Sequence, residues 1–196
     1  MRPKLLDLFC GAGGAGMGYH LAGFDVTGVD IKPQPSYPFR FVQADAFEFL
    51  EEFGHEYDVI HASPPCQAHT PVRNINKNLY NRDRYPDLIE QTRSALRETG
   101  KIYVIENVVG APLVNPILLC GEMFGLRVFR HRLFEVNRFI LAPPHPKHSR
   151  TSTSFGTKKT HKCIRVWFDT HLRCRSYVQA GRRKNRNGNR LDENAT

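Results

Sequence analysis

Residues 4–18 read KLLDLFCGAGGAGMG, an apolar run broken by one acid and followed by glycines at 11, 13, 14, 16 and 18. The run predicts a buried strand over 4–9. The glycines predict a tight turn entering a helix over 11–23, because a chain that must reverse sharply and admit a ligand to its backbone needs residues without a side chain. Working outward, "FDVTGVD" (24–30) reads as a second strand. A proline-rich break follows, then a third strand at 38–45, a short helix at 46–54 ended by Gly54, and a fourth strand "YDVIHA" at 57–62. "DLIEQTRSALRETG" (87–100) reads as an amphipathic helix with Asp87 near its N-cap, "KIYVIEN" (101–107) as a fifth strand, and "LRVFRHRLFEV" (126–136) as two strands or a hairpin. Strands alternating with helices predict an α/β fold, a mostly parallel sheet with helices on both faces.

At 196 residues, with 40% hydrophobic and 24% charged residues, the chain suits one globular domain and excludes wholesale disorder or a fibrous repeat. No window approaches eighteen unbroken apolar residues and the N-terminus lacks a signal-peptide run, so a cytoplasmic, non-membrane protein is expected. Five scattered cysteines form no disulfide framework and predict reduced thiols. The net charge of +9 is lopsided: residues 151–196 hold 11 Lys/Arg against 3 Asp/Glu, whereas residues 1–150 hold 17 against 16. A near-neutral body, 1–142, therefore precedes a basic, weakly structured tail, 143–196, suited to a polyanion or simply solvated. "CIRVWF" is its one strand-like piece. In the same tail His161, Cys163, His171 and Cys174 match no common zinc-finger spacing, and no metal site is assigned.

The glycine turn has a partner acid. Asp30 closes the second strand 23 residues after Asp7, the place from which a carboxylate holds ribose hydroxyls in nucleotide-binding folds. Asp45 ends the third strand, where it either accepts from an adenine amino group or caps the helix behind it. These features suit NAD, FAD or S-adenosylmethionine. The order D-L-F-x-G-x-G-G places Asp7 ahead of the glycines, where it would repel a pyrophosphate, and this favours S-adenosylmethionine.

The fourth strand delivers "SPPCQ" to the sheet's carboxyl edge. Pro64 and Pro65 fix their own φ and restrict the residues before them, so the turn holding Cys66 has few alternatives and the thiol is preorganised as a nucleophile. Arg130 and Arg132, expected to alternate outward on one strand face, are candidates for lowering the thiol's pKa or gripping a base oxygen or phosphate. Cys10 and Cys120 read as small packed residues. "ENV" brings Glu106 and Asn107 to the same edge, with Glu106 a candidate acid or hydrogen-bond donor. Residues 68–86, with Arg73, Lys77, Arg82 and Arg84, read as a polar loop able to close over a substrate.

In order, "DLFCGAGG", "SPPCQ", "ENV" and "RHR" resemble motifs of the DNA (cytosine-5) methyltransferases, and the chain is most similar to their small, phage-encoded type. The resemblance covers roughly residues 4–148. It implies a Rossmann-like S-adenosylmethionine-dependent methyltransferase fold, a DNA substrate, and methylation of carbon 5 of a flipped-out cytosine. Cys66 would attack carbon 6 and Glu106 would hold ring nitrogen 3 and the exocyclic amine. The resemblance places S-adenosylmethionine against Asp7, Phe9, Gly11, Gly13, Asp30, Asp45 and Pro65, and gives Arg130 and Arg132 contacts to the base and the cysteine loop. A monomer is expected. Two departures stand out: Val128 occupies a position where the family carries glutamine, and "GRRKNRNGNRLDENAT" has no counterpart of the family's closing helix, so an atypical or truncated C-terminus is expected. A nucleic-acid-binding remnant and an RNA cytosine-5 methyltransferase stay open as alternatives.

Overall fold

The computed structural model describes residues 1–69, 86–126 and 128–148. Seven strands form one sheet: β1 Lys4–Leu8, β2 Asp25–Asp30, β3 Arg40–Gln43, β4 Val59–Ala62, β5 Ile102–Asn107, β6 Ile117–Cys120 and β7 His131–Val136. Their order is β3-β2-β1-β4-β5-β7-β6. The first five are mutually parallel, and β7 runs antiparallel to both β5 and β6. Helices α1 Gly14–Leu21, α2 Ala46–Phe53 and α3 Ile89–Glu98 fill the connections after β1, β3 and β4.

From β1 the chain steps outward to β2 and β3, then returns to place β4 on the other side of β1. Right-handed crossovers in opposite directions put their helices on opposite faces, and the crevice where the direction reverses lies beyond the carboxyl ends of β1 and β4. Side-chain alternation bears out the two faces. Leu6, Leu8, Val29, Ile60, Ala62, Tyr103 and Ile105 meet Ala46, Phe49 and Leu50 of α2 and Leu96 of α3 in one core. The alternate residues Asp7, Val26 and Gly28 face α1 and Tyr37, with Gly16 of α1 so close that a Cβ there would lie 3.1 Å from Asp7 Oδ2. Between β2 and β3 the proline-rich break forms no helix. Instead it tucks Tyr37 over Gly28, where an added Cβ would lie 2.2 Å from the ring.

On the α3 side of this core a buried ion pair ties α3 to β7. Arg93 of α3 donates from Nε and Nη2 to the two carboxylate oxygens of Glu135 on β7, both at 2.8 Å, and Nη2 also reaches the Pro112 carbonyl. Glu135 further accepts from the Val114 amide at 2.8 Å, so every charge in the cluster is met.

Several expectations shift. The third strand is confined to Arg40–Gln43. Helix α3 begins at Ile89, and Asp87 accepts from the Ile89 amide at 3.2 Å from outside it. Among the described residues of 126–136, only His131–Val136 form a strand, and its hairpin partner is β6. Arg130 therefore precedes the strand and is exposed. Residues 143–148, expected to belong to the tail, contribute His145 and His148 to contacts with His131 and Glu122. Among the described residues no helix is long and apolar enough to cross a membrane. The candidate closing loop's Arg73, Lys77, Arg82 and Arg84, the "CIRVWF" piece and the His161–Cys174 constellation lie outside the described residues.

Candidate active site at the carboxyl edge

Beyond β1 the chain turns through three positive φ angles, Phe9 at 56°, Gly11 at 50° and Gly13 at 87°. Glycine meets the last two at no steric cost. The turn is fastened to β2: Cys10 N–H donates to Val29 O at 3.1 Å, and Gly11 N–H to Asp30 Oδ2 at 3.0 Å. Asp30 Oδ1 accepts from the Lys32 amide at 2.9 Å. A Cβ on Gly11 would meet nothing within 4 Å, so that side of the turn is open, whereas one on Gly13 would lie 2.8 Å from Pro38. Phe9 stands edge-on to Phe47, centroids 5.9 Å apart. Asp45 caps α2, its Oδ1 accepting from the amides of Phe47 at 2.8 Å and Glu48 at 3.2 Å, so the capping half of its two readings is realised.

Asp7 sits deeper than the glycines. It lies beneath the turn, 1% exposed, with Tyr37 Oη donating to its Oδ2 at 3.1 Å. Burial pushes its carboxyl up to about 7, against the opposing hydrogen bonds from Tyr37 and Gly16. A group in this setting supports the turn from below and does not line the open side. Cys10, also buried, has its thiol pushed up to about 12 by burial and by the charges of Asp7 and Asp30, which makes it an inert packed residue as expected.

The turn after β4 is held from both sides. His61, fully buried, contacts Tyr19 Oη through Nδ1 at 3.1 Å and Ser63 Oγ through Nε2 at 2.8 Å, and burial lowers its pKa to about 4, so it stays neutral. Ser63 N–H donates to Leu8 O at 3.1 Å. Asn107, 1% exposed at the end of β5, donates from Nδ2 to the Pro64 carbonyl at 3.0 Å and accepts from the Val108 amide at 2.9 Å. One buried amide thus joins the Pro-Pro-Cys turn to the strand end that carries Glu106. Pro64 is buried, while Pro65 and Cys66 are half-buried. His69 closes the turn, donating its amide to the Cys66 carbonyl at 3.0 Å and pairing through Nε2 with Asp87 Oδ2 at 2.9 Å.

Glu106 meets Arg132, Oε1 to Nε, at 2.6 Å, both about a quarter exposed. The Arg132 guanidinium pairs with Glu106 and, through Nη1, donates to the His131 carbonyl at 3.0 Å. Arg130, exposed and off the strand, does not share that face. Two surface hollows of about 310 and 390 Å³ lie elsewhere, one beside Tyr103 and Asn137, the other beside Phe53 and Tyr57.

Sequence reasoning missed several groups. Asn107 was placed at the edge without a task, and its contact with Pro64, 43 positions away, carries no local signature. Tyr37 lay in a stretch read as a break. A cluster of Cys120, His131, His145 and His148 was not anticipated, although H-x-x-H at 145–148 was a visible signal. In that cluster burial, together with the neighbouring His145 and His148, holds His131 below the usual imidazole range.

No protein-family model matches the chain. It is 30% identical over 125 residues to the type II methyltransferase M.XorII of Xanthomonas oryzae pv. oryzae, a match covering 56% of this chain and 29% of that protein. It is likewise 30% identical over 128 residues to the type II methyltransferase M.AgeI of Thalassovita gelatinovora, covering 55% and 28% respectively. The chain thus spans under a third of the length of these curated relatives. Among solved structures, the Dnmt2 methyltransferase of S. pombe superposes with a TM-score of 0.51 at 17% identity, covering 69% of this chain and 49% of that one. The fold is the Rossmann-like methyltransferase fold, and in sequence the chain is similar to type II methyltransferases.

Proposed function

We propose that the chain transfers a methyl group from S-adenosylmethionine to carbon 5 of cytosine in DNA through a covalent adduct at Cys66. The observation that carries this reading is the Asn107 clamp, which unites the Pro64-Pro65-Cys66 turn with the Glu106 strand end, one strand from the open side of Gly11. The type II methyltransferase relatives support it.

The residues at the turn fit a nucleoside. Gly11 leaves its open side free, and Asp30, although fastened to two amides, keeps lone pairs for ribose hydroxyls. Phe9 and Pro65 would provide apolar walls, Asp45 the approach to the adenine edge, and Gly13 the tightness of the turn, with Asp7 bracing it from beneath. S-adenosylmethionine, when bound, supplies an electrophilic methyl group on a sulfonium. Cys66, as the thiolate, would add to carbon 6 of a cytosine swung out of the duplex, since carbon 5 is a poor nucleophile until the ring becomes an enamine. Glu106 would hold ring nitrogen 3 and the exocyclic amine, and Arg132 fixes the carboxyl that does so. Loss of the carbon 5 proton and of the cysteine sulfur then restores the aromatic ring. Arg130, exposed next to this edge, is suited to a phosphate.

The test is transfer of a labelled methyl group by the full chain to cytosine-containing DNA, with tRNA assayed alongside. We expect label in DNA, reduced roughly a thousandfold or more by Cys66→Ala. Label confined to tRNA would move the proposal to RNA. Salt-sensitive DNA binding without cofactor binding or transfer would overturn it in favour of a binding remnant.

A further inference from the structure

At the carboxyl edge of the outermost strand on the β5 side of the sheet, Cys120 closes β6 and stands in register with His131, the first residue of β7. Directly opposed residues of an antiparallel pair project to one face. Onto that face fold His145 and His148. His131 Nε2 lies 2.9 Å from His145 Nε2 and 2.9 Å from His148 Nε2, and Cys120 Sγ lies 3.8 Å from His148 Nε2. All four atoms fall within 4.8 Å of one another.

Hydrogen bonding alone cannot satisfy this arrangement. An imidazole nitrogen has one in-plane position, holding either a proton or a lone pair, so His131 Nε2 cannot serve two imidazole neighbours at once. A single cation receiving all the lone pairs can. A tetrahedral zinc ion with ordinary bond lengths separates its nitrogen ligands by about 3.3 Å and a nitrogen from a thiolate sulfur by about 3.6 Å. The three spacings given above are within about half an ångström of these, and the remaining pairs stay within 4.8 Å. Glu122 contacts His148 Nδ1, which fixes the proton on that nitrogen and turns the Nε2 lone pair inward, as carboxylates behind zinc-bound histidines do. Cys120 is 2% exposed, which suits a thiolate held by a metal.

We propose that Cys120, His131, His145 and His148 form a structural zinc site that pins residues 143–148 to the β6–β7 hairpin. Four protein ligands leave no open position, which marks a structural site, and one sulfur with three imidazoles selects zinc-like ions over calcium or magnesium. His131 is flanked by Arg130 and Arg132, so the ion fixes the start of the strand that presents Arg132 to Glu106. The site stands on its own geometry and is independent of the proposed reaction.

The experiment is elemental analysis of the full chain purified without chelators, together with the absorption spectrum of its cobalt form. We expect about one zinc per chain, and in the cobalt form a tetrahedral spectrum with a single-thiolate charge-transfer band. Cys120→Ser and His148→Ala should lose the zinc, whereas Cys163→Ser/Cys174→Ser should keep it. Zinc retained by the Cys120 and His148 variants, zinc lost with the tail pair instead, or no zinc in the parent would overturn the proposal. Should a variant fail to fold, the parent's cobalt spectrum decides: absence of the thiolate band excludes the site.

Discussion

Asp7 holds the most informative side chain in the glycine region. Its carboxyl is raised to about 7 by burial, so between roughly pH 4 and 7 the folded chain binds a proton that the unfolded chain has released. The stabilisation is complete below pH 4 and is lost as the pH rises through 7. Asp7→Asn should therefore flatten this part of the stability profile, gaining on the order of a few kcal/mol over the parent at pH 8 and little at pH 4, read by denaturant titration at both pH values. An unchanged profile would mean the carboxyl is better solvated than its 1% exposure indicates. His61 works in the other direction. Its pKa is lowered to about 4, so its contribution is present above about pH 6.5 and disappears as the pH falls through 4. At this scale the strand-end positions of Cys66 and Glu106 were legible from the apolar runs before them, and the structure puts both residues at the carboxyl edge. The burial of Asp7 and the pairing of Arg132 were not legible, because the first depends on Tyr37, thirty residues on, and the second on which strand lies beside it.

Among the elements, the strand ends do the positioning. Asn107→Ala would leave the Pro64 carbonyl and the Val108 amide without their partner. The expected cost is about 1–3 kcal/mol of stability, with a larger proportional loss of methyl transfer than of cofactor binding, checked by kinetics beside calorimetry. Equal losses in both would assign Asn107 to general stability alone. Away from the site, Glu135→Ala should destabilise by roughly 3–5 kcal/mol in chemical denaturation, since it removes the buried carboxylate and leaves the Arg93 guanidinium with only the exposed Glu90 as an ion partner. Strands β1, β2, β4 and β5 and all three helices were legible because their apolar runs end at glycine, proline or a capping acid. The hairpin was not. Strand β6 is only four residues, ILLC, too short for its apolar run to mark it as a strand before β7.

For the whole molecule, sheet order explains why motifs about a hundred residues apart in the chain converge. The reversal between β1 and β4 opens one crevice, and the glycine turn, the Pro-Pro-Cys turn and the Glu106 strand end all reach it from neighbouring strands. The alternation of strands and helices made the mostly parallel α/β sheet readable from sequence, whereas its strand order came from the structure. The histidine cluster escaped because its ligands come from β6, β7 and an extended segment read as tail. The direct measurement of the central claim is covalent capture: the full chain is incubated with S-adenosylmethionine and DNA containing 5-fluorocytosine, then denatured and analysed by mass spectrometry. Fluorine at carbon 5 blocks the last elimination, so a DNA adduct mapping to Cys66, absent from Cys66→Ala, is the predicted result. Intact protein free of DNA, or an adduct at any other residue, would contradict the account.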